Sequence, residues 1–184
     1  MLLYHTAYRE IRDPDVHYGR KNADFAQGFY LSPEYGFARR WARERKGTDT
    51  FINCYELDTA GLRILRLERN ADWYDYIFRN RGGGSERFPD ADVIIGPIAN
   101  DTIYNTYGVL TSGLLEKEEA LELLLLGPEY TQVVLKTEKA ACQLKWLKAE
   151  VLTKEQLIVS AAEVVAEEQA YQELLSMKMA EMVK

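Results

Sequence analysis

The sequence predicts an α+β domain with a helical extension. Three observations carry this. Short apolar or alternating runs of strand length are scattered through residues 1–152. The helical stretches between them do not alternate one-for-one with strands, which disfavours a doubly wound parallel sheet. Residues 153–184 then change character, with an unbroken helical repeat rich in Glu and free of Gly and Pro.

The elements follow in order. Residues 2–5 read as a short buried strand. Residues 11–27 read as a loop, punctuated by Asp13-Pro14-Asp15, Gly19 and Asn22. Residues 28–31 are a second strand. Ser32 or Pro33 then opens a helix to about Arg45. Ser32 can cap and Pro33 fits the first helical position. Phe37, Ala38, Trp41 and Ala42 share a face, and Gly47 stops the helix. Residues 50–57 and 62–67 alternate as strands. Asn70 or Asp72 caps a helix over 73–80 whose inward face is Trp73, Tyr76 and Ile77. Residues 81–85 (RGGGS) are expected to be a flexible loop.

Residues 92–95 (DVII) form a fully buried strand ended by Gly96-Pro97. Asn100 or Asp101 caps a short helix with Thr102, Tyr104 and Tyr107. Another helix runs over 117–126 to Gly127-Pro128. Residues 130–136 (YTQVVLK) are a strand, 138–144 a short helix or turn, and 145–151 (KWLKAEV) the last strand. Thr153 and Gln156 make a capping box. Behind it Leu157, Ala161, Val164, Tyr171, Leu175, Met179 and Met182 recur at helical spacing, giving one long amphipathic helix or two. The division expected is a domain over 1–152 and a helical extension over 153–184.

Composition narrows the classes. A net charge of −6 and a hydrophobic fraction of 47% describe a globular chain with no general electrostatic grip on nucleic acid phosphates. A local basic strip remains at Arg39, Arg40, Arg43, Arg45 and Lys46, which also reads as a solvated helix face. Two cysteines, Cys54 and Cys142, and two histidines, His5 and His17, lack metal-ligand spacing, so no metal is expected. The N-terminus lacks the pattern of a signal peptide, and the apolar run 123–126 is too short to span a bilayer. A reducing cytoplasm and no membrane are therefore expected. No G-x-G-x-x-G follows a strand, and the glycines at 82–84 lack the Lys-Ser/Thr of a P-loop.

Three short motifs carry a resemblance. LLYHTAY, with His5 closing an apolar run, resembles the segment that opens the catalytic domain of ADP-ribosyltransferases of the diphtheria-toxin and poly(ADP-ribose) polymerase type. GFYLSPEYGFARRWA, with Tyr30 beside Gly28-Phe29, resembles their second motif, a strand followed by a helix. YTQVVLK resembles the third, a strand that carries Glu in poly-ADP-ribosylating members. More closely, residues 1–150 resemble the bacterial DUF3990 family of that superfamily. The resemblance is carried by Asp24-Phe25-Ala26-Gln27-Gly28-Phe29-Tyr30, Gly96-Pro97-Ile98-Ala99-Asn100-Asp101, Gln132 and Thr137-Glu138-Lys139-Ala140.

The resemblance implies an ADP-ribosyltransferase-like fold, a split pair of mixed β-sheets flanked by helices, with NAD as substrate and no metal. His5 would bond a hydroxyl of the nicotinamide ribose, and the backbone of Thr6 the carboxamide. Tyr30 would stack on the ring, Trp41 would be a second stacking aromatic, and Gln132 would stand at the catalytic glutamate's position. His5, Tyr30 and Gln132 are thus the expected catalytic set, and His5, Thr6, Tyr30 and Trp41 the NAD-binding set. Two departures matter. Gln132 is neutral and cannot offset a growing cation with a full charge, which argues against poly-ADP-ribose elongation. Ala38 stands where relatives carry a serine that bonds the carboxamide.

Each residue also has a plain structural explanation. His5 can be a satisfied core histidine, Tyr30 strand packing, Trp41 core, Gln132 a polar residue of a half-exposed strand, and Asp101 a helix cap. The function expected is mono-ADP-ribosylation of a protein or nucleic acid, as a toxin or effector. A small antitoxin, or self-association through the C-terminal helix, would supply the partner. The alternatives are a catalytically inactive NAD-binding or protein-interaction module using the C-terminal helix, and an NAD glycohydrolase.

Overall fold

Alternation along two central strands determines the layering. In the computed structural model, which describes residues 1–99 and 116–182, Val93–Pro97 form β5 and Thr131–Leu135 form β6, paired antiparallel. Val93, Ile95, Val133 and Leu135 face one hydrophobic cluster, with Leu3, Phe29, Leu31, Tyr55 and Leu57. Ile94 and Val134 face another, with Phe25, Trp73, Tyr76, Ile77, Leu123, Leu124, Tyr171 and Leu175. A strand with period two and apolar residues on both faces must be covered on both sides. The covers are a second sheet and a layer of helices.

The sheet containing β5 and β6 has the order β2-β6-β5-β4, with β2 at Phe29–Leu31 and β4 at Ile64–Arg66. It is mixed, since β4 pairs parallel to β5 and the other pairs are antiparallel. The other sheet has the order β1-β3-β7, at Leu2–Ala7, Phe51–Leu57 and Leu144–Val151. It is antiparallel throughout, which corrects the expectation of two mixed sheets.

The helical cover consists of α2 (Ala71–Arg81), α3 (Lys117–Leu124) and α5 (Lys154–Met182). Asn70 caps α2, its side chain accepting from the N–H groups of Asp72 and Trp73 at 3.1 Å each. Trp73, Tyr76 and Ile77 are buried as the periodicity predicts. Each such side chain contributes about 1.5–3 kcal/mol on burial. The Thr153–Gln156 capping box is present, with both reciprocal bonds made. The extension is a single helix, and its Tyr171 and Leu175 enter the core. A short α4 (Glu138–Cys142) follows β6, capped by Thr137. Thr137 and Lys139 also bond the buried carboxylate of Asp92, at 2.9 and 3.1 Å. The Thr-Glu-Lys-Ala segment is therefore a structural joint. The expected helix at Asn100 or Asp101, with Thr102, Tyr104 and Tyr107, lies outside the described residues.

Three local expectations are corrected. The helix after β2, α1, spans only Tyr35–Arg40. Ser32 is extended because its backbone exchanges hydrogen bonds with Tyr4 at 2.8 and 2.9 Å, so the helix cannot start there. At the far end the Arg43 guanidinium donates to the carbonyls of Arg40 and Ala42. Gly47, at φ +75°, then sits in a tight turn between Arg45 and Thr48 and does not end the helix. The glycine segment after α2 is tied down by Arg79, which donates to the backbone and hydroxyl oxygens of Ser85. The basic strip is not simply solvated. Arg39 pairs with Glu163 and Arg40, only 8% exposed, with Glu167, both on α5.

Candidate functional site

The two sheets meet at one point and part beyond it. Tyr4 of β1 and Ser32 after β2 form an isolated antiparallel bridge. Continued pairing would bring Thr6 opposite Tyr30, but Tyr30 belongs to the other sheet, where it lies across from Val134. The carbonyl of Tyr30 instead receives the His5 ring, with Nδ1 2.7 Å from its oxygen. From this fork opens a cleft of about 700 Å³, a size that suits a nucleotide-scale ligand.

Strand alternation decides what Thr6 offers the cleft. The Met1–Leu57 pair exchanges both hydrogen bonds across β1 and β3. Odd-numbered residues of β1 therefore bond β3, and even-numbered residues point their N–H and C=O away from it. Tyr4 uses these groups on Ser32. Those of Thr6 project on the same side, into the fork between the sheets. The Thr6 hydroxyl is occupied, donating to the carbonyl of Ala38.

A carbonyl oxygen only accepts, so His5 Nδ1 carries the proton that bonds Tyr30. Burial pushes the His5 pKa below its usual value, against the Tyr30 carbonyl, which raises it. The ring is thus neutral near pH 7, with Nε2 as an acceptor. It also packs on Phe29, centroids 4.6 Å apart. The Tyr30 hydroxyl donates to the carbonyl of Ala26 at 2.7 Å and accepts from the N–H of Phe25 at 3.0 Å. Burial raises its pKa well above the ordinary tyrosine value. The ring is consequently fixed and the phenol stays protonated. Lys136 braces the same turn, donating to the carbonyl of Phe25 while paired with Glu86 at 3.1 Å. Glu86 keeps its charge: burial pushes its pKa up, but the Phe88 N–H and Lys136 more than offset that.

Gly28 and Gly19 place this strand. A Cβ at Gly28 would lie 2.6 Å from the carbonyl oxygen of Leu135, and one at Gly19 2.6 Å from the carbonyl oxygen of Gly28. Loop, β2 and β6 are in close backbone contact, which is why the residue before Phe29-Tyr30 is glycine.

Trp41 is 43% exposed, lines the cleft and meets Phe37 edge-on, so it is not core. The Ala38 methyl lines the cleft beside it. Gln132 also lines the cleft and is only 6% exposed, which corrects the half-exposed placement. Its neighbours across β5 and α2 bury it. The carbonyl of Pro97 takes the Trp73 indole N–H at 2.9 Å and the Gln132 Nε2 at 3.4 Å. Since a carbonyl cannot donate, the Gln132 amide nitrogen faces Pro97.

His5, Thr6, Tyr30, Trp41 and Gln132 therefore line one cleft. Sequence reasoning assigned no role to its charged end, where Arg20, Asp24 and Arg81 contribute. Arg81 donates to Asp24 through Nε at 2.9 Å and pairs with it through Nη2 at 2.8 Å, both side chains 9% exposed. Asn80 also donates to the Asp24 backbone carbonyl at 2.8 Å. The only signal for Asp24 is its place in the Asp-Phe pair ahead of Gly-Phe-Tyr.

The family model described as protein of unknown function (DUF3990) matches residues 1–146. The chain belongs to the DUF3990 family. The matched span of this DUF3990 chain covers every strand through β6, the first residues of β7 and every residue named above at the cleft, and it stops before α5. A search of curated proteins returns no match. Among the described residues of this DUF3990 protein no group of three or more His, Cys, Asp or Glu is placed to hold a metal ion. No described helix is long and apolar enough to cross a membrane. Cys54 and Cys142 are free thiols.

Proposed function

We propose that the cleft binds NAD and that the protein transfers a single ADP-ribose unit to a macromolecular acceptor, protein or nucleic acid. One observation carries the reading: residues from β1, β2, the end of α1 and β6 that suit a nicotinamide riboside converge on one hollow. The pyridinium ring would lie against the fixed face of Tyr30, with Trp41 at the mouth. The outward N–H and C=O of Thr6 match the carboxamide, which has one acceptor and one donor group to offer. His5 Nε2 would accept from a ribose hydroxyl. Clamped in this way, the N-glycosidic bond breaks with its electron pair going to the nicotinamide nitrogen. The ribose C1′ left behind is cationic. The acceptor nucleophile adds to C1′ and loses its proton, giving ADP-ribosylated acceptor and free nicotinamide. Positioning and exclusion of water supply the rate. The Gln132 amide can orient a hydroxyl but brings no charge, which fits one transfer and not chain growth. In the toxin or effector form of this proposal, a small antitoxin is the partner.

Gln132 also favours a second reading, an NAD-binding module without chemistry, because its nitrogen is engaged by Pro97. Hydrolysis, with water as the acceptor, is the third. Incubation with NAD carrying a label in its adenylate half separates them. Transfer predicts nicotinamide release and labelled macromolecule in a cell extract, both lost in His5→Ala. Release without labelled macromolecule marks hydrolysis. Binding without release marks the module. No thermal stabilisation by NAD and no release would overturn all three.

A further inference from the structure

The charged end of the cleft has a polarity of its own. The protein carries a net charge of −6, yet among the described residues lining the cleft the charged side chains are Arg20, Arg81 and one carboxylate, Asp24. Arg81 and Asp24 are held together by two short contacts. Arg20 has no ion pair with another described residue, and its guanidinium is the surplus charge on this wall.

The loop that carries Arg20 is also fastened beside the strand that carries Tyr30. Gly19 packs so closely on Gly28 that a side chain could not be accommodated. Gln27 donates to the carbonyl of Gly19 at 3.0 Å and also to that of His17. The loop carrying Arg20 is thus fastened to the residues that lead directly into β2. Its charge is close enough to act on the Tyr30 hydroxyl, whose pKa it lowers against the dominant effect of burial. The cleft thus carries the fixed face of Tyr30 and, on the loop fastened beside it, the exposed guanidinium of Arg20.

We propose that Arg20 is the anion subsite of the cleft, binding the phosphate attached to the riboside whose ring lies on Tyr30. This rests on the NAD reading above and deepens it, naming the group that separates a nucleotide from a bare riboside. Arg suits the task because its planar guanidinium can bond two phosphate oxygens at once.

Binding of NAD, nicotinamide mononucleotide and nicotinamide riboside to the full chain, measured by calorimetry, tests it. Wild type should bind the two phosphate-bearing ligands more tightly than the riboside, and added salt should narrow the gap. Arg20→Gln should weaken NAD and the mononucleotide about tenfold, equal to about 1.4 kcal/mol, and leave the riboside unchanged. Arg20→Lys should recover part of the loss. Arg20 is exposed on a loop, so both variants should fold as wild type, which a melt would verify. An Arg20→Gln protein that binds NAD as wild type does, or that loses riboside and NAD equally, overturns the subsite and leaves the NAD reading standing. A wild-type protein that binds none of the three overturns both.

Discussion

Replacing Gly28 by alanine tests how tightly the site is built into the packing. The added methyl would lie 2.6 Å from the Leu135 carbonyl oxygen and 2.6 Å from Val134 Cγ1. Neither neighbour can yield easily. Leu135 sits in β6 between Phe29 on one side and Val93 on the other, so its carbonyl moves only if two strand pairs move. Val134 is fully buried among the side chains beneath α2 and α3. Overpacking of this kind costs about 1–3 kcal/mol. For a chain of this length each kcal/mol lowers the melting temperature by about 2–4 °C, so a drop of roughly 2–12 °C is expected. Gly36→Ala is the internal control, because nothing lies within 4 Å of its added methyl and it sits in α1. That variant should range from unchanged to about 1 kcal/mol more stable. Thermal unfolding followed by circular dichroism reads both. If Gly28→Ala melts with wild type, or if both glycine variants fall equally, the close approach of β2 to β6 is wrong. The positioning of Tyr30 argued from it would fail as well.

Other expectations are as direct. The Arg63 N–H holds the Asp92 carboxyl below its usual pKa; burial opposes this, and Thr137 and Lys139 add to the lowering. A depressed carboxylate contributes stability above its unfolded pKa and loses it as pH falls through the folded value. Asp92→Asn should therefore cost about 1–3 kcal/mol in urea titrations at pH 7, and the deficit should shrink toward pH 3. For His5, burial lowers the pKa, so its stabilising contribution is complete above about pH 6.5 and is lost as pH falls through the folded midpoint. Nitrogen-detected NMR should show the Nδ1–H tautomer at pH 7 and a midpoint below 6.5; a protonated Nε2 at pH 7 would contradict the geometry. Leu175→Ala should destabilise by roughly 2–5 kcal/mol while unfolding remains one transition, since α5 shares the core with α2 and α3. A separate early melt of α5 would contradict that.

Local signals were legible where local forces decide. The Asn70 cap and the Thr153–Gln156 box need only near neighbours, and they appear as read. The buried strand at 93–95 also appears, but Gly96-Pro97 does not end it: both residues pair with β6, opposite Gln132 and Thr131. The length of α1 was not legible, because the tie that keeps Ser32 extended comes from Tyr4, a partner distant in sequence. The depth of Gln132 was hidden for the same reason: its cover comes from β5 and α2. Motif order alone groups His5, Tyr30 and Gln132, and the three line one cleft. The charged end escaped, because Arg81 reads as the edge of a glycine loop until the fold sets Asp24 against it.

The short helix α1 has two masters. Phe37, Ala38 and the adjoining Trp41 form part of the hollow, while Arg39 and Arg40 between them are gripped by acids of α5. Free energy exchanged at one side is felt at the other, and such coupling is reciprocal. A guest that steadies the wall should slow amide exchange along α5 near Glu163 and Glu167, and a protein that pulls on α5 should loosen the guest by the same factor.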